Sequence, residues 1–371
     1  MPDPERRPDP TQPAELLAGL VHAGLLDAEV ARQALATDPD PAALAGLIEE
    51  LAGWPAGEFE RRVARDPERP PQLPGYRIEQ LLGRGGTARV WRARTDRKRA
   101  EQKGAARGGG AVALKVLTPQ ATAHAPTRDA FLREAKLLAE LSHENLVGGL
   151  GPAKSGDLLL SRLECIEGET ALEALERDGA FDEGRALEIV LGAARALEYL
   201  SERGLVHRDV KPGNVMLERG GRVVLIDLGF AADKSSVDRS ADAAVGTAAY
   251  LSPEQARGGA AADPRSDVYS LGATLFHLVV GRLPFEASDD EELLAKQVLE
   301  SLASPELKSR GVSPYLQFFI EKMMSKDAAD RFQTWSELIA EIESTRAAVA
   351  RLDLSGMREQ STPARRTRRR R

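Results

Sequence analysis

The sequence predicts a two-lobed α+β domain, with a β-rich first lobe and a helical second lobe, preceded by a small all-α region. Leucine and alanine recur at helical spacing over residues 12–65. Strand-like runs begin at Tyr76, and long helical patterns dominate after about residue 180. Because the strands come first and the helices later, the pattern favours an α+β arrangement in two lobes.

Proline residues divide the N-terminal region into short helical segments. We predict three or four helices, within residues 12–26, 28–38, 41–54 and 57–66, which pack against a neighbour or regulate it. The proline-rich stretch RDPERPPQLPG follows them and marks a domain boundary. The predicted division of the chain is a helical domain at 1–64, a linker at 65–75, a main domain at 76–346 with lobes at 76–163 and 167–346, and a disordered tail at 354–371.

The composition is that of an ordinary soluble globular protein, with 42% hydrophobic and 29% charged residues. The single cysteine, Cys165, excludes an internal disulfide framework and a thiolate zinc cluster, and it favours a reducing environment. No run approaches the roughly 18–20 apolar residues of a membrane helix. The N-terminal stretch MPDPERRPDP is too polar for a signal peptide. We therefore expect a soluble, cytoplasmic protein.

The charge is unevenly distributed along the chain. Residues 358–371 contain seven arginines and one glutamate, a net of +6, which leaves −12 for the rest of a chain whose total is −6. The acidic body argues against nucleic acid as the main partner. The basic tail is compatible with an acidic partner, a membrane or nucleic acid, and equally with a solvated tail or one that contacts the acidic body.

Three strands are predicted at the start of the main domain, from the runs YRIEQLLG, ARVWRARTD and AVALKVLT. The turn between the first two reads GRGGTARV. Gly83 and Gly85 would let this backbone turn tightly and bring its N–H groups close to phosphate oxygens. A plain hairpin turn explains the same pattern. Between the second and third strands, residues 97–110 indicate a flexible polar insertion.

Charged residues within apolar segments predict further parts of a site. Lys115 lies in the apolar strand VALK and needs an anion, which Glu134 of the helix DAFLREAKLLAELS can supply. Two unrelated surface charges are the alternative. In LVHRDVKPGNVML, Asp209 can accept a proton from an alcohol, Lys211 can neutralise a phosphate, and Asn214 offers an amide oxygen to a hard cation.

An acid ends the apolar run VVLI. We predict that Asp227 is buried at the end of this strand and needs a positive partner. The turn ERGGR connects this strand to the preceding one, which would bring Asn214 close to Asp227. Two oxygen donors side by side, near a glycine loop and a lysine, predict a Mg²⁺-nucleotide site in which the ion offsets the burial of the acid.

Taken in order, over residues 76–345, these motifs resemble the signature set of protein kinases. HRDVKPGNVML together with SPEQA most resembles the bacterial Hanks-type, or eukaryotic-like, serine/threonine kinases. The resemblance implies the protein-kinase fold and transfer of the γ-phosphoryl group of ATP, with Mg²⁺, to serine or threonine hydroxyls of protein substrates in bacterial signalling. It also implies autophosphorylation, and Mn²⁺ is an alternative ion.

The resemblance assigns residues to the nucleotide and its metal. Lys115 would bind the α- and β-phosphates while paired with Glu134, and Asn214 and Asp227 would hold Mg²⁺. The other nucleotide-binding residues that it implies are Gly83, Arg84, Gly85, Gly86, Val90, Ala113, the gatekeeper Leu163, Glu164 and Ile166 of the adenine-binding hinge, Thr170 and Met216.

The resemblance also assigns catalytic roles. Asp209 would orient or deprotonate the substrate hydroxyl, and Thr247 of GTAAYLSPEQ would contact both Asp209 and the acceptor site. Lys211, two residues after Asp209, resembles the serine/threonine branch and would neutralise charge on the phosphate. The supporting contacts implied are an ion pair of Glu254 with Arg331 and an anchor from buried Asp267 to the catalytic-loop backbone.

Three positions depart from the family pattern: Ala88 replaces the third loop glycine, Ser252 replaces an alanine, and Leu228 replaces a phenylalanine. None removes a charge that the chemistry needs. The alternative function is that of a pseudokinase, a nucleotide-binding scaffold without transfer. Such a protein would lack one of four residues that are all present here, namely Lys115, Asp209, Asn214 and Asp227.

Regulation is implied by the segment 227–254. A phosphate on one of its serines could meet Arg208, and the alternative is that they are plain polar loop residues. The candidate serines are Ser235, Ser236 and Ser240. Cys165 in the hinge is either a reactive thiol or an inert one.

Overall fold

The computed structural model describes residues 13–22, 25–37, 43–59, 70–95, 110–228, 247–258, 263–302, 307 and 311–360. These residues separate into two compact units, one within Met1–Asp129 and Pro152–Cys165 and the other within Ala130–Gly151 and Ile166–Arg371. Most of the predicted insertion and all three candidate phosphorylation serines lie outside the described residues.

The N-terminal region forms helices whose apolar residues share one core. The helices are α1 (Pro13–His22), α2 (Ala28–Ala36) and α3 (Leu44–Ala52). Asp27 caps α2 by accepting two backbone N–H groups of its first turn, and Gly53 ends α3 in the left-handed conformation, with φ of 66°. The buried core includes Leu17, Leu20, Ala34, Ile48 and Phe59. Residues 60–66 of the predicted fourth helix lie outside the described part of the chain.

The strands that follow form a five-stranded sheet in the order β1-β2-β3-β5-β4. They are β1 (Tyr76–Arg84), β2 (Ala88–Thr95), β3 (Ala111–Leu117), β4 (Gly149–Ser155) and β5 (Leu158–Glu164). The three strands predicted from the sequence are thus confirmed. Trp91, Leu114 and Leu160 lie in a buried core on one side of this sheet. Leu73, from the predicted linker, joins that core and is 5% exposed.

Two helices follow β3 along the chain, α4 (Pro119–Ala123) and α5 (Ala125–Glu140). The hydroxyl of Thr118 caps α4 by accepting the N–H of Ala121 at 3.3 Å. Helix α5 begins four residues before the predicted start, because a proline in its first turn needs no N–H partner. Its buried residues Phe131, Ala135 and Leu138 recur at helical spacing, as the pattern predicted.

A small antiparallel sheet lies in the second unit. Its strands are β6 (Gly168–Thr170), β7 (Val215–Glu218) and β8 (Val223–Leu225), paired in that order. A Cβ on Gly168 would lie 2.1 Å from the carbonyl oxygen of Leu217, so only glycine lets β6 approach β7 this closely. The N–H of Val147 donates to the carbonyl of Leu225 at 3.0 Å, which ties the chain after α5 to β8.

Most of the other described residues of the second unit are helical, as the sequence predicted. The helices are α6 (Ala171–Asp178), α7 (Glu183–Ser201), α8 (Pro253–Ala256), α9 (Pro264–Val280), α10 (Asp290–Leu299), α11 (Pro314–Met323) and α12 (Trp335–Gln360). Gly272 allows α9 to pack closely on α11, since a Cβ there would lie 2.7 Å from Cβ of Met323. Among the described helices, none has the length and apolarity that a membrane crossing requires.

The last helix differs from the sequence prediction at its C-terminal end. Helix α12 runs to Gln360 and therefore includes residues 354–360, which we predicted to be disordered. Adding a residue to a helix that is already nucleated costs little free energy, which is consistent with the continuation of the helical backbone to Gln360. Residues 361–371, with most of the arginines of the tail, lie outside the described residues.

Candidate active site

The register of the five-stranded sheet places four predicted nucleotide-binding residues on one face. Val90 is the partner of Lys115 across β2 and β3, and Ala113 is the partner of Leu163 across β3 and β5. Paired residues share a face of a sheet, and so do residues two apart in one strand. This face is therefore opposite to the one that carries Trp91 and the buried core of the sheet.

The glycine-rich turn lies at the end of the β1–β2 hairpin. Gly83 pairs with Val90, and the N–H of Gly85 donates to the carbonyl of Ala88 at 3.0 Å. The backbone angles of this turn do not require glycine, because no glycine of the turn has a positive φ and a Cβ on any of them would meet no atom closer than 3.5 Å. The missing side chains of Gly83, Gly85 and Gly86 instead leave the backbone open to a ligand.

The remaining residues predicted to bind the nucleotide from the first lobe differ in their exposure to solvent. Lys115 in β3 and Glu134 in α5 are both half-buried, and they belong to different compact units, so their ion pair stays a prediction. Arg84 is exposed at the end of β1. Glu164 ends β5, and it and Ile166 are half-buried.

In the second unit, the loop between His207 and Asn214 (the catalytic loop) holds the carboxylate of Asp209 between two donors. Nζ of Lys211 lies 2.9 Å from Oδ2 of Asp209, and Nδ2 of Asn214 donates to the same oxygen at 2.9 Å. Nδ2 of Asn214 also donates to the backbone carbonyl of Asp209 at 2.8 Å. Both side-chain contacts use Oδ2, which leaves Oδ1 as the oxygen that can accept the proton of a hydroxyl.

The backbone of this loop is anchored by Asp267, as the sequence predicted. Asp267 is 2% exposed and accepts the N–H of His207 at 2.7 Å and the N–H of Arg208 at 2.8 Å. Burial raises the pKa of Asp267 to about 7, although these two N–H groups act in the opposite direction. Arg208 has a φ of 70°, a conformation that costs a non-glycine residue about 1–3 kcal/mol, so its anchors hold strained backbone in place.

His207 is fully buried beside the acids of the loop. Burial lowers the pKa of His207 to about 4, against the attraction of the carboxylates of Asp209 and Asp227. The ring is therefore neutral at pH 7, and its Nδ1 accepts the N–H of Asp209 at 3.3 Å. This contact ties the backbone of Asp209 to a fully buried side chain.

Asp227 lies next to Asn214 but is not buried. The carbonyl of Asn214 accepts the N–H of Ile226 at 2.8 Å, which makes the two residues neighbours. The prediction of a buried acid is wrong: Asp227 is exposed, while Leu228 is only 1% exposed. Strand β8 ends at Leu225, one residue before the end of the predicted strand, and the chain turns at Asp227, where φ is 59°.

The donor set fits a hard divalent cation. Because Nδ2 of Asn214 donates to Asp209, the amide is oriented and its oxygen is the atom left to bind an ion. Asp227 adds a carboxylate that is accessible to solvent. Amide and carboxylate oxygens are the ligands that Mg²⁺ uses in nucleotide sites.

The remaining predicted residues lie near the small sheet and in the segment before α8. Thr170 pairs with Met216 across β6 and β7, but its hydroxyl exchanges hydrogen bonds with Glu173 in the capping box of α6. The predicted nucleotide contact of Thr170 therefore competes with a helix cap. Thr247 begins a 3₁₀ turn, Thr247–Tyr250, and its contact with Asp209 stays a prediction.

A buried glutamine that was not predicted from the sequence supports this turn. Gln297 of α10 is 0% exposed, and its Nε2 donates to the carbonyl of Ala249 at 2.6 Å. The hydroxyl of Tyr269 donates to Oε1 of Gln297 at 2.6 Å, and Nζ of Lys326 donates to that hydroxyl at 2.9 Å. A glutamine in an amphipathic helix ordinarily indicates a surface position, so the pattern could not reveal this contact.

The predicted ion pair of Glu254 with Arg331 is confirmed. The guanidinium makes two bonds to the carboxylate, at 2.8 and 2.9 Å, and the side chain of Arg331 is 0% exposed. Burial disfavours the ionised carboxyl, yet the bonds from Arg331 and Ser266 lower the pKa of Glu254 to about 2. Because the guanidinium is buried and makes two bonds to the carboxylate, removing either partner leaves the other charge without its compensation.

Replacing Arg331 by methionine is expected to lower the free energy of unfolding by about 3 kcal/mol at pH 7, because a half-buried carboxylate loses its bidentate partner. The measurement is urea denaturation. The matched control is Arg346→Met, which breaks an exposed pair with Glu188 at 2.8 Å and should cost less than about 1 kcal/mol. Equal losses in the two variants would contradict the expectation.

The contribution of this pair depends on pH in a defined direction. The pKa of Glu254 is lowered from 4.5 to about 2 in the folded chain, so the unfolded chain binds more protons between these values. The stabilisation is therefore complete above pH 4.5 and is lost as the pH falls toward 2. Arg331→Met should lack this loss.

The chain belongs to the protein kinase family: the model of the protein kinase domain matches residues 76–341. The β-rich lobe followed by a helical lobe is the fold expected of that family, so the predicted fold class is confirmed.

Several curated relatives are bacterial serine/threonine kinases. Serine/threonine-protein kinase PknB of Mycobacterium leprae is 34% identical over 281 residues, covering 74% of this chain and 43% of that protein. PknB of Mycolicibacterium smegmatis is 33% identical over 274 residues, covering 72% and 42%. Probable serine/threonine-protein kinase SCO3848 of Streptomyces coelicolor is 33% identical over 285 residues, covering 75% and 41%. The chain thus spans about two fifths of the length of these relatives.

A solved structure shares the fold. The crystal structure of Rad53 1-466 in complex with AMP-PNP matches this chain with a TM-score of 0.57 and 21% sequence identity. The match covers 77% of this chain and 69% of that one. At this identity the likeness concerns the fold alone.

Proposed function

We propose that this chain is a serine/threonine protein kinase that transfers the γ-phosphoryl group of ATP to hydroxyls of protein substrates, including its own. The observation that carries the proposal is the arrangement of Asp209, with Oδ2 held by Lys211 and Asn214 and Oδ1 left to accept a hydroxyl proton. The names of the bacterial relatives support the same reaction class.

Each step of the transfer has a residue in this chain. Oδ1 of Asp209 orients the substrate hydroxyl and takes its proton. Nζ of Lys211, 2.9 Å from Asp209, neutralises charge on the transferring phosphoryl group. Lys115 binds the α- and β-phosphates and pairs with Glu134, while Thr247 contacts the acceptor side. Positioning and charge neutralisation supply most of the rate enhancement in such transfers.

The nucleotide is held by the sheet face and the adjoining segments. The backbone N–H groups of the glycine turn cover the phosphates, and the hinge backbone at 164–166 binds adenine. The side chains proposed to line the nucleotide are Arg84, Val90, Ala113, Leu163, Thr170 and Met216. Asn214 and Asp227 hold Mg²⁺, with Mn²⁺ as an alternative, and the bound ion neutralises phosphate charge.

The position of Lys211 supports serine and threonine as acceptors, and so do the printed names of the bacterial relatives. The role proposed for the chain is in bacterial signalling, in the cytoplasm. We propose that residues 76–346 carry the activity. The helical region at 1–64 then packs against it or regulates it, and the linker at 65–75 joins the two. The basic tail is proposed to contact acidic surfaces, of this chain or of a partner.

Transfer of label from γ-³²P-ATP with Mg²⁺ to dephosphorylated casein tests this function. The wild-type chain should label casein, and Lys115→Met should reduce labelling by about 10²-fold or more, because an electrostatic contact to the phosphates is lost. Lys136→Met, at an exposed position of α5, is the control and should label like wild type.

Nucleotide binding, measured as the increase in the thermal unfolding midpoint with ATP and Mg²⁺, separates a kinase from a pseudokinase scaffold. A wild-type chain that binds nucleotide but transfers no label would contradict the proposed activity and support the scaffold.

A further inference from the structure

Gln255 of helix α8 contacts both its own helix and the catalytic loop. Its Oε1 accepts hydrogen bonds from the N–H and the hydroxyl of Ser252, at 3.1 and 2.9 Å, and its own N–H donates to the Ser252 hydroxyl at 3.4 Å. This capping box uses the acceptor end of the side-chain amide. The donor end, Nε2, donates to the backbone carbonyl of Arg208 at 3.0 Å.

The bond from Gln255 falls on the peptide group that joins Arg208 to Asp209. The carbonyl oxygen of that group accepts from Gln255, and its N–H donates to the neutral ring of His207 at 3.3 Å. A peptide group is planar, so contacts at both ends fix its orientation. That orientation sets the direction in which the side chain of Asp209 leaves the loop.

This peptide group needs an anchor of its own. Asp267 binds the N–H groups of His207 and Arg208, which belong to the two preceding peptide groups. The φ of 70° at Arg208 is unfavourable for a side chain of this size, so the backbone tends to relax at this residue. The hydrogen bond from Gln255 to the Arg208 carbonyl is placed to prevent the peptide group between Arg208 and Asp209 from rotating when Arg208 relaxes.

We propose that Gln255 is a positioning residue for catalysis: it aims Asp209 through the Arg208 carbonyl. It also couples helix α8 to the loop that carries Asp209, so that the position of the chain just after Thr247 and the orientation of Asp209 depend on each other. This inference rests on the proposed kinase function, since that function makes Asp209 the group that orients the substrate hydroxyl and takes its proton.

The test is the variant Gln255→Glu in the full chain. Glutamate keeps the length and the acceptor oxygens of the capping box but has no N–H to donate to Arg208. For transfer from Mg-ATP to dephosphorylated casein, kcat should fall about tenfold, the effect of one lost hydrogen bond expressed in the transition state. The KM for ATP should change by less than about twofold, and the thermal midpoint by less than about 2 °C.

Two further variants separate positioning from folding. Ser252→Ala removes the capping hydroxyl and keeps the bond to Arg208, so the thermal midpoint should fall by about 2–4 °C while kcat stays within about twofold. Gln255→Met removes both functions of the amide without adding charge, so it should lose kcat like Gln255→Glu and thermal stability like Ser252→Ala.

The outcomes distinguish a failure of the positioning role of Gln255 from a failure of the proposed kinase activity. An active wild type with an unchanged kcat in Gln255→Glu would overturn the positioning role and leave the kinase function standing. Equal losses of kcat in Gln255→Glu and Ser252→Ala would also overturn it, since the role of Gln255 would then be structural. A wild-type chain that transfers no phosphate would overturn both.

Discussion

Asp209→Asn is expected to lower kcat for phosphoryl transfer by about 10²–10⁴-fold, the range that a positioned general base contributes. The amide has nearly the shape of the carboxylate, but its oxygen does not take up the hydroxyl proton. Oδ2 of Asp209 now receives two donors, Lys211 and Asn214, so the amide oxygen would be drawn to that side. The amide nitrogen would then face the hydroxyl as a donor.

The measurement is the rate of label transfer to casein, with nucleotide binding followed in parallel by the thermal midpoint. Asp157→Asn is the matched control, at an exposed position between β4 and β5, and should transfer at the wild-type rate. ATP and Mg²⁺ should still stabilise Asp209→Asn, because the substitution leaves the phosphate-binding residues unchanged. Transfer by Asp209→Asn within tenfold of wild type would contradict the assigned role.

Asp227→Ala is expected to abolish transfer, by about 10³-fold or more, because it removes one of two proposed metal ligands. The side chain is exposed and its backbone has a φ of 59°, so alanine itself is strained at this position. Asp227→Asn is therefore the matched variant, since asparagine tolerates the left-handed region and removes only the charge. Both variants should lose transfer, and Asp227→Asn should keep the thermal midpoint of the free chain.

Metal binding gives a second measurement for Asp227 that does not depend on activity. Mn²⁺ in the presence of ADP should give an electron paramagnetic resonance signal of the bound ion with the wild-type chain, and a much weaker one with Asp227→Asn. Unchanged Mn²⁺ binding in Asp227→Asn, or transfer near the wild-type rate in either variant, would contradict the assignment of Asp227 as a ligand.

Much of the fold followed from local patterns. The strands β1 to β3 and the helices α7 and α9 were predicted because their apolar periodicity is set by residues close in sequence. The Glu254–Arg331 pair and the Asp267 anchor were predicted from a family resemblance, since periodicity alone does not connect residues 59 to 77 positions apart.

The exposure of Asp227 could not be predicted, because it depends on one backbone angle. The run VVLI indicates a strand that continues into the acid, whereas the strand ends at Leu225 and the chain turns at Asp227. The glycine-rich turn is a second example. Its sequence predicts a tight turn that uses the freedom of glycine, whereas the backbone angles of the turn do not require glycine.

The contacts made by two neutral side-chain amides also could not be predicted from the sequence. Gln255 reaches Arg208, 47 positions away, and Gln297 reaches Ala249, 48 positions away. A charged residue in an apolar segment predicts a partner, because an unpaired buried charge is unfavourable. Glutamine is common on helix surfaces, so its presence predicts no contact. Only the folded chain shows that both amides bind backbone carbonyls, that of Arg208 next to Asp209 and that of Ala249 in the turn after Thr247.

The most direct test of the proposed kinase activity is to identify the labelled amino acids after incubation of the full chain with γ-³²P-ATP, Mg²⁺ and dephosphorylated casein. We predict phosphoserine and phosphothreonine with the wild-type chain and almost no label with Asp209→Asn. Label confined to phosphotyrosine, or equal label from the wild type and Asp209→Asn, would contradict a serine/threonine kinase that uses Asp209.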